Sequence, residues 1–551
     1  MPTAYDNVPY PSAVYPQTHP DRLATIGHLF GLTPARVESA RVLELGCGDG
    51  TNITAMALTL PQSQFCGLDL ASAPIRKGKK VVAALNLANV RLEQMDLLET
   101  PADLGQFDFI IAHGLYSWVP PEAREKILAI CRGHLAEQGI AYISYNSYPG
   151  NHLRDLVRSM IRFHVRQFPE PQEQVRQARI LIKFLATAKA KESLWQQVLR
   201  QQFDRIQRYV DAGFFHDDLS AANQPFYFYE FAEAAARHKL QFLAEADLTD
   251  MQVAGLTDEA QGVLRNLEQC NLVAREQYLD FIEGRSFRQT LLCHEERALE
   301  RDLKPERAQA LWIAADSRPA KPKAGLTGPA IEDFQRGKAV IATSHPALKC
   351  ALGLLGEVWP RRVHFQELLE QARSRAGRED GGPAVSIQMD AQDLGEFLLR
   401  CYMVGFVDLH AHPSVFVTKP SARPVASPLA RLQIQQGPVV VSLRHLTLKI
   451  EDRLGQELLK LLDGTRDREQ IARQLADLVQ SGKVPLPDQG APVTAPEQME
   501  KRLREGLDHS LQNLARLGLL VNPVLVEKIA GTIMSRKRTH RTQRKGDLDR
   551  R

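Results

Sequence analysis

The chain has 551 residues, 44% of them hydrophobic and 24% charged, which is an ordinary globular composition able to bury several cores. At roughly 150 residues per domain, three or four domains are expected. The formal charge of +4 is near balance and makes no demand for a nucleic-acid partner, and seven cysteines without a Cys-x-x-Cys pair argue against a zinc site or a disulfide framework.

The opening residues, MPTAYDNVPYPSAVYPQTHP, have neither a basic nor an apolar region of signal-peptide type, and no apolar run approaches the ~20 residues that span a bilayer. A soluble cytoplasmic protein is expected. Residues 1–40 form a lead and a helix. Tyr5, Tyr10 and Tyr15 alternate with prolines, which favours extended backbone. Such a lead is either a loose end or an arm laid over a pocket.

From 41 to 150, strands alternate with helical patterns, the mark of a parallel sheet covered on both faces. Strands are expected at Val42–Leu45, Gln64–Asp69, Val90–Asp96, Phe107–His113 and Ile140–Asn146. The first runs into Gly46-Cys47-Gly48-Asp49-Gly50 and then a helix, a nucleotide-type site in which glycines let the backbone pass close under a ligand. The dinucleotide fingerprint is a poorer match, because position 51 is Thr51. The loop fits close approach to the methionine end of S-adenosylmethionine (AdoMet), or else it is only a tight turn. Asp69 and Asp96 end the second and third strands, where carboxylates can take ribose hydroxyls and the adenine amine; either can also be a solvated strand end. The fourth strand leads into HGLYSWVP, and the fifth into YNSYPG. Tyr116 and Trp118 either wall the methyl centre or pack beneath the next helix. Asn146 and the neighbouring tyrosines are candidates for orienting an incoming nucleophile. A P-loop, His-Glu-x-x-His and a Gly-x-Ser-x-Gly elbow are all missing.

Residues 151–315 read as almost wholly helical, including the segments Phe214–Leu240 and Glu276–His294. His216-Asp217-Asp218 looks like half a metal site, but without a partner cluster a helix-start cap is favoured. Residues 316–328 and SARPVASPLA read as linkers around a middle domain at 329–420, followed by a C-terminal domain at 430–533. Both of these units carry a helix–turn–helix rhythm of winged-helix type. The tail 534–551 has eight Lys and Arg against two Asp and reads as disordered.

ELGCGDG, Asp69, Asp96 and HGLYSWVP resemble a class I AdoMet-dependent methyltransferase. With the tyrosine-rich lead, HDDLSAANQPFYFYEFAEAAARHKL and EQYLDFIEGRSFRQTLLCH, the chain is similar to bacterial methyltransferases with an attached regulatory domain, a family that includes lysine methyltransferases of outer-membrane proteins. The resemblance implies an α/β fold: a Rossmann-like methyltransferase sheet at 41–150, a helical regulatory or dimerisation domain at 151–315, and winged-helix-like α/β units after it. It implies AdoMet as cofactor, S-adenosyl-L-homocysteine as product, and a homodimer. The acceptor is expected to be a protein lysine, with a small molecule or a non-catalytic AdoMet-binding scaffold as alternatives. Carried over by position, Glu44, Gly46, Cys47 and Gly48 take the methionine end. Asp69 takes the ribose, Asp96 and Leu97 flank adenine, and His113 lies beside the pocket. Tyr10 and His19 close over it. Tyr116, Tyr145 and Asn146 are the catalytic candidates, acting by orientation, and no metal is expected. The Asn/Asp-Pro-Pro-Tyr tetrapeptide of many amide and nucleobase methyltransferases is replaced by HGLY, which argues against a DNA or glutamine acceptor.

Overall fold

The computed structural model describes residues 4–522 apart from 190, 192, 322–324, 378–383 and 486–495; the basic tail lies outside the described residues. Five strands run parallel: β1 (Arg41–Leu45), β2 (Gln64–Asp69), β3 (Val90–Gln94), β4 (Phe107–Ala112) and β5 (Leu135–Asn146). Their burial follows from the sequence pattern, near-continuous apolar runs covered on both faces. Alternate residues feed opposite cores. Val42, Phe109, Ile140 and Tyr142 join one, and Leu43, Ile110, Ala141 and Tyr145 the other.

The region expected to be helical returns two strands to this sheet. β6 (Leu240–Glu245) and β7 (Phe287–His294) complete the order β3-β2-β1-β4-β5-β7-β6, with β7 antiparallel to both β5 and β6. Their polar residues hid them. Arg288, Thr290 and Glu245 are fully buried because they pair with one another and with the helix Leu272–Glu283.

Between β5 and β6 the chain builds a helical layer from Asn151–Val165, Pro171–Thr187 and Leu194–Gln207, with its own apolar core. The strand Trp312–Ala314 precedes the expected middle-domain boundary, yet it pairs with Val363–His364 and Asp408–His410. The segments expected as linkers are ordered where described: Arg318–Pro319 pairs with Glu332–Arg336, and Ala426 bridges Leu520. The C-terminal unit packs Arg453–Leu461, Arg468–Gln480 and Pro496–Arg516 behind a two-stranded wing, Val439–Val441 with Thr447–Lys449. Among the described residues no helix is long and apolar enough to cross a membrane.

Candidate functional site

The sheet order reverses beside β1, whose neighbours are β2 and β4, and a crevice opens there at the carboxyl ends of the strands. It holds a cavity of about 1170 Å³. Glu44, Gly46, Cys47, Gly48, Asp69, Asp96, Leu97, His113 and Tyr10 all line it, as does Asn146.

Gly48 has φ +56°, with open space where a Cβ would project, so the backbone itself forms the floor. Its N–H donates to Asp69 Oδ2 at 2.8 Å while Ala71 N–H donates to Oδ1 at 2.8 Å, which aims the carboxylate before any ligand arrives. Asp96 lies two residues past the observed end of β3. It caps the short turn Leu97–Glu99 by accepting from Leu98 N–H at 2.9 Å, so its position comes from a cap rather than a strand end. Asp49 braces the loop from outside the predicted set: Thr51 and Lys77 donate to it, and so does Ser12 of the N-terminal arm.

Glu44 is buried. Its Oε1 accepts from Asn52 Nδ2 at 2.7 Å, whereas Oε2 has no partner. Burial pushes its carboxyl up to about 8, with Asp69 and Asp49 adding to the rise against the Asn52 hydrogen bond. The folded protein therefore holds a proton, between about pH 4.3 and 8, that the unfolded chain has lost. Stability of the cofactor-free protein should fall as pH rises through that window. Glu44→Gln is expected to remove this slope, so that Tm of the variant gains several degrees on wild type between pH 5 and 8 in thermal melts.

His113 projects from the same sheet face as Tyr142 and Ser144. Its Nδ1 lies 2.9 Å from the Tyr142 hydroxyl, which donates onward to Gln289 Oε1 at 2.9 Å. Burial lowers the ring to about 4, so it is neutral at physiological pH. The Tyr15 ring lies against it, centroids 3.7 Å apart. The proline- and tyrosine-rich lead is thus an ordered arm over the crevice, with Tyr5, Tyr10 and Tyr15 in the cavity wall.

Three predicted residues lie elsewhere. His19 is absent from the cavity wall; its Nδ1 caps the helix Pro20–Leu29 by accepting from Asp21 N–H at 3.1 Å. Tyr116 and Tyr145 pack in the opposite core against Phe226 and Phe231, and the Tyr145 hydroxyl lies 3.2 Å from Thr290 Oγ1. Alternation explains this: Asn146 faces the cavity, so its strand neighbour Tyr145 cannot. Trp118 does line the cavity.

Part of the cavity wall is built by the helical layer. Phe215–Leu219 forms a π-turn, a rare geometry often found at functional sites. Asp218 is fully buried between Arg154 and Arg205, at 3.2 and 2.7 Å, which hold its carboxyl below the usual range. Asp217 instead lines the cavity, 3.4 Å from the Tyr10 hydroxyl, and burial raises it to about 6. The HDD motif is therefore not a helix-start cap. Tyr5 stacks on His216, the neighbour of Asp217, with ring centroids 4.2 Å apart, while Tyr15 lies against His113, so the arm runs between these two walls of the cavity.

Comparison with known proteins agrees with this layout. The family described as "Methyltransferase domain" matches residues 42–139, "Predicted methyltransferase regulatory domain" matches 211–294, and "PKMT, C-terminal winged helix domain" matches 422–519. An uncharacterized protein of Rickettsia prowazekii is 28% identical over 529 residues, covering 94% of this chain and 93% of the relative. A second from the same organism is 37% identical over 241 residues, 44% of this chain and 96% of the relative. The structure of PKMT2 from Rickettsia typhi in complex with AdoHcy superposes with a TM-score of 0.83 at 27% identity, covering 93% of this chain and all of that one (100%). AdoHcy differs from AdoMet by the transferred methyl. The residues here fit that group: the unpartnered, buried Glu44 Oε2 calls for a donor such as an amino group, and the pre-aimed Asp69 for a diol.

Proposed function

Because the chain belongs to the class I AdoMet-dependent methyltransferases that carry a methyltransferase regulatory domain and a PKMT winged helix, we propose that its acceptor is the side-chain amine of a protein lysine. The enzyme is an AdoMet-dependent methyltransferase. The observation that carries the lysine reading is Asp217, a carboxylate in the wall of the cavity that the glycine loop also lines.

In this reading Glu44 and the Gly46–Gly48 backbone hold the methionine end of the cofactor, Asp69 its ribose, and Asp96 with Leu97 its adenine. When bound, AdoMet supplies an electrophilic methyl on a sulfonium. The acceptor enters as an ammonium, with a reference pKa of about 10.4. Asp217 pairs with it, and the walls formed by Tyr10, Trp118 and Pro120 strip its water, which lowers that pKa. The ammonium proton passes to Asp217 Oδ, whose raised pKa suits it to receive one. Asn146, held by its bond to Asn223 Oδ1 at 2.7 Å, fixes the amine's approach. No role in orientation falls to Tyr116 or Tyr145. Asp217→Asn is expected to lower kcat/KM for the acceptor about 10²-fold while leaving AdoHcy affinity within twofold.

Incubation with methyl-labelled AdoMet and cell extract tests the reading. Label recovered as methyl-lysine after hydrolysis of the protein fraction supports it. Label confined to small molecules, or bound AdoMet without transfer, sinks it. We further propose that the helical layer makes a homodimer. Phe163, Phe184 and Leu194 are 67%, 62% and 82% exposed there, apolar side chains that an interface would cover. A monomer mass by light scattering at micromolar concentration would remove that part.

A further inference from the structure

We infer that the wing of the C-terminal winged helix is an intramolecular strut for the cofactor site, with His445 as its positioning residue. The wing turn joins Val439–Val441 to Thr447–Lys449 and carries His445 at φ +57°, in the left-handed region that a side chain disfavours. Such a conformation persists when the surroundings over-determine it. Here the surroundings are the methyltransferase domain. His445 is buried, and its Nε2 lies 2.8 Å from Asn52 Oδ1, across 393 residues of sequence.

Asn52 is the hub. Its Oδ1 has two lone pairs, and two N–H groups take them: His445 Nε2 from the wing and Tyr15 N of the arm, the latter at 3.1 Å. With the carbonyl so occupied, the NH₂ end must point the other way, to Glu44 Oε1 at 2.7 Å and Thr18 Oγ1 at 3.0 Å. That NH₂ is the donor that Glu44 Oε1 accepts from. Removing the wing's donor leaves a buried carbonyl half-satisfied and frees the amide to turn its oxygen toward a carboxylate. A second contact acts on the arm directly, because Val14 N donates to Thr447 Oγ1 at 3.3 Å. The wing thus holds both the residue that braces Glu44 and the segment that covers the crevice. Arg444, next to His445, stacks over Trp359 of the middle unit at 4.5 Å, so the same turn links the third part of the chain. A protein that moves the wing would alter cofactor grip without touching the glycine loop.

The inference rests on Glu44 lying in the cofactor site and is independent of the acceptor. The test is therefore AdoHcy binding to the full chain, measured by calorimetry. His445→Ala is expected to raise Kd about tenfold, the factor for one buried hydrogen bond lost. His445→Gln, which keeps a donor, should stay within threefold of wild type. Thr447→Val should give a smaller rise in Kd and faster amide exchange across residues 9–15. A folded His445→Ala variant with wild-type Kd overturns the inference, as does a Gln variant as weak as Ala. If His445→Ala fails to fold, Thr447→Val decides: wild-type Kd together with wild-type exchange rejects the strut.

Discussion

Arg288→Met is expected to destabilise the sheet-bearing part of the chain by about 3–5 kcal/mol, among the largest effects of any single substitution in it. Arg288 is fully buried on β7 and is met by three buried carboxylates: Glu245 of β6 at 2.6 Å, and Glu276 and Asp280 of the helix Leu272–Glu283 at 3.1 and 2.8 Å. Its guanidinium also lies 4.0 Å from the centroid of the Phe228 ring. Arg275 and Arg285 complete the charge balance from the edge, pairing with Glu276 and Asp280. A pair of this kind adds little over an apolar replacement of the whole cluster, but removing one partner strands the rest. With Met at 288 three carboxylates remain buried with too few cations. The sign of the pH dependence follows. Carboxyls whose folded pKa lies above the unfolded value stabilise below the unfolded value and lose that contribution as pH rises. Asp280 is already raised by burial with Arg288 present to restrain it, and without that guanidinium it should rise further. The deficit of the variant should therefore be greatest near pH 8 and shrink toward pH 5 in denaturant titrations. An equal deficit at both would mean that packing, not charge, is what Arg288 supplies.

The same cluster shows why part of the fold was hard to read. β1, β2, β4 and β5 are apolar runs bounded by turns, and periodicity finds them. β6 and β7 carry Glu245, Arg288 and Thr290 into the core, so their pattern looks amphipathic and merges with the adjoining helices. Their burial depends on partners 43 and 45 positions apart, for Arg288–Glu245 and Thr290–Glu245, which no local window contains. At the site, the glycine loop and Asp69 were legible because their geometry is local: a turn, a strand end and two backbone donors. Tyr116 and Tyr145 were misplaced, although alternation alone forbids Tyr145 and Asn146 from sharing a face. Asp217 is visible in the sequence but its pattern is that of a cap, since its place in the cavity comes from a π-turn and from the tyrosines of an arm 207 positions away. Asn52 carried no signal at all. It matters only because Glu44, Tyr15 and His445 converge on it.

Asp69→Ala should raise the Kd for AdoHcy about 10³-fold. Two charge-assisted hydrogen bonds to a diol, at ~1.5–3 kcal/mol each, are lost together. The substitution does a second thing as well. Asp69 is the acceptor for Gly48 N–H and Ala71 N–H, so the alanine variant also releases the turn whose φ +56° residue forms the cavity floor. The two contributions separate with Asp69→Asn. Its amide keeps one carbonyl acceptor and the shape of the side chain, but it presents an NH₂ at the other position and carries no charge. Burial works against the charged form of Asp69 in the cofactor-free protein and raises its pKa, while the two backbone donors restrain that rise. A hydroxyl pair that donates to the carboxylate should depress the pKa again, so AdoHcy affinity in wild type should weaken as pH falls through the carboxyl range, and the asparagine variant should lose that dependence. Calorimetric Kd values at pH 5 and 7.5 for the three proteins decide the matter. If Asp69→Ala binds AdoHcy within tenfold of wild type, Asp69 is a structural brace for the glycine loop and not the ribose ligand.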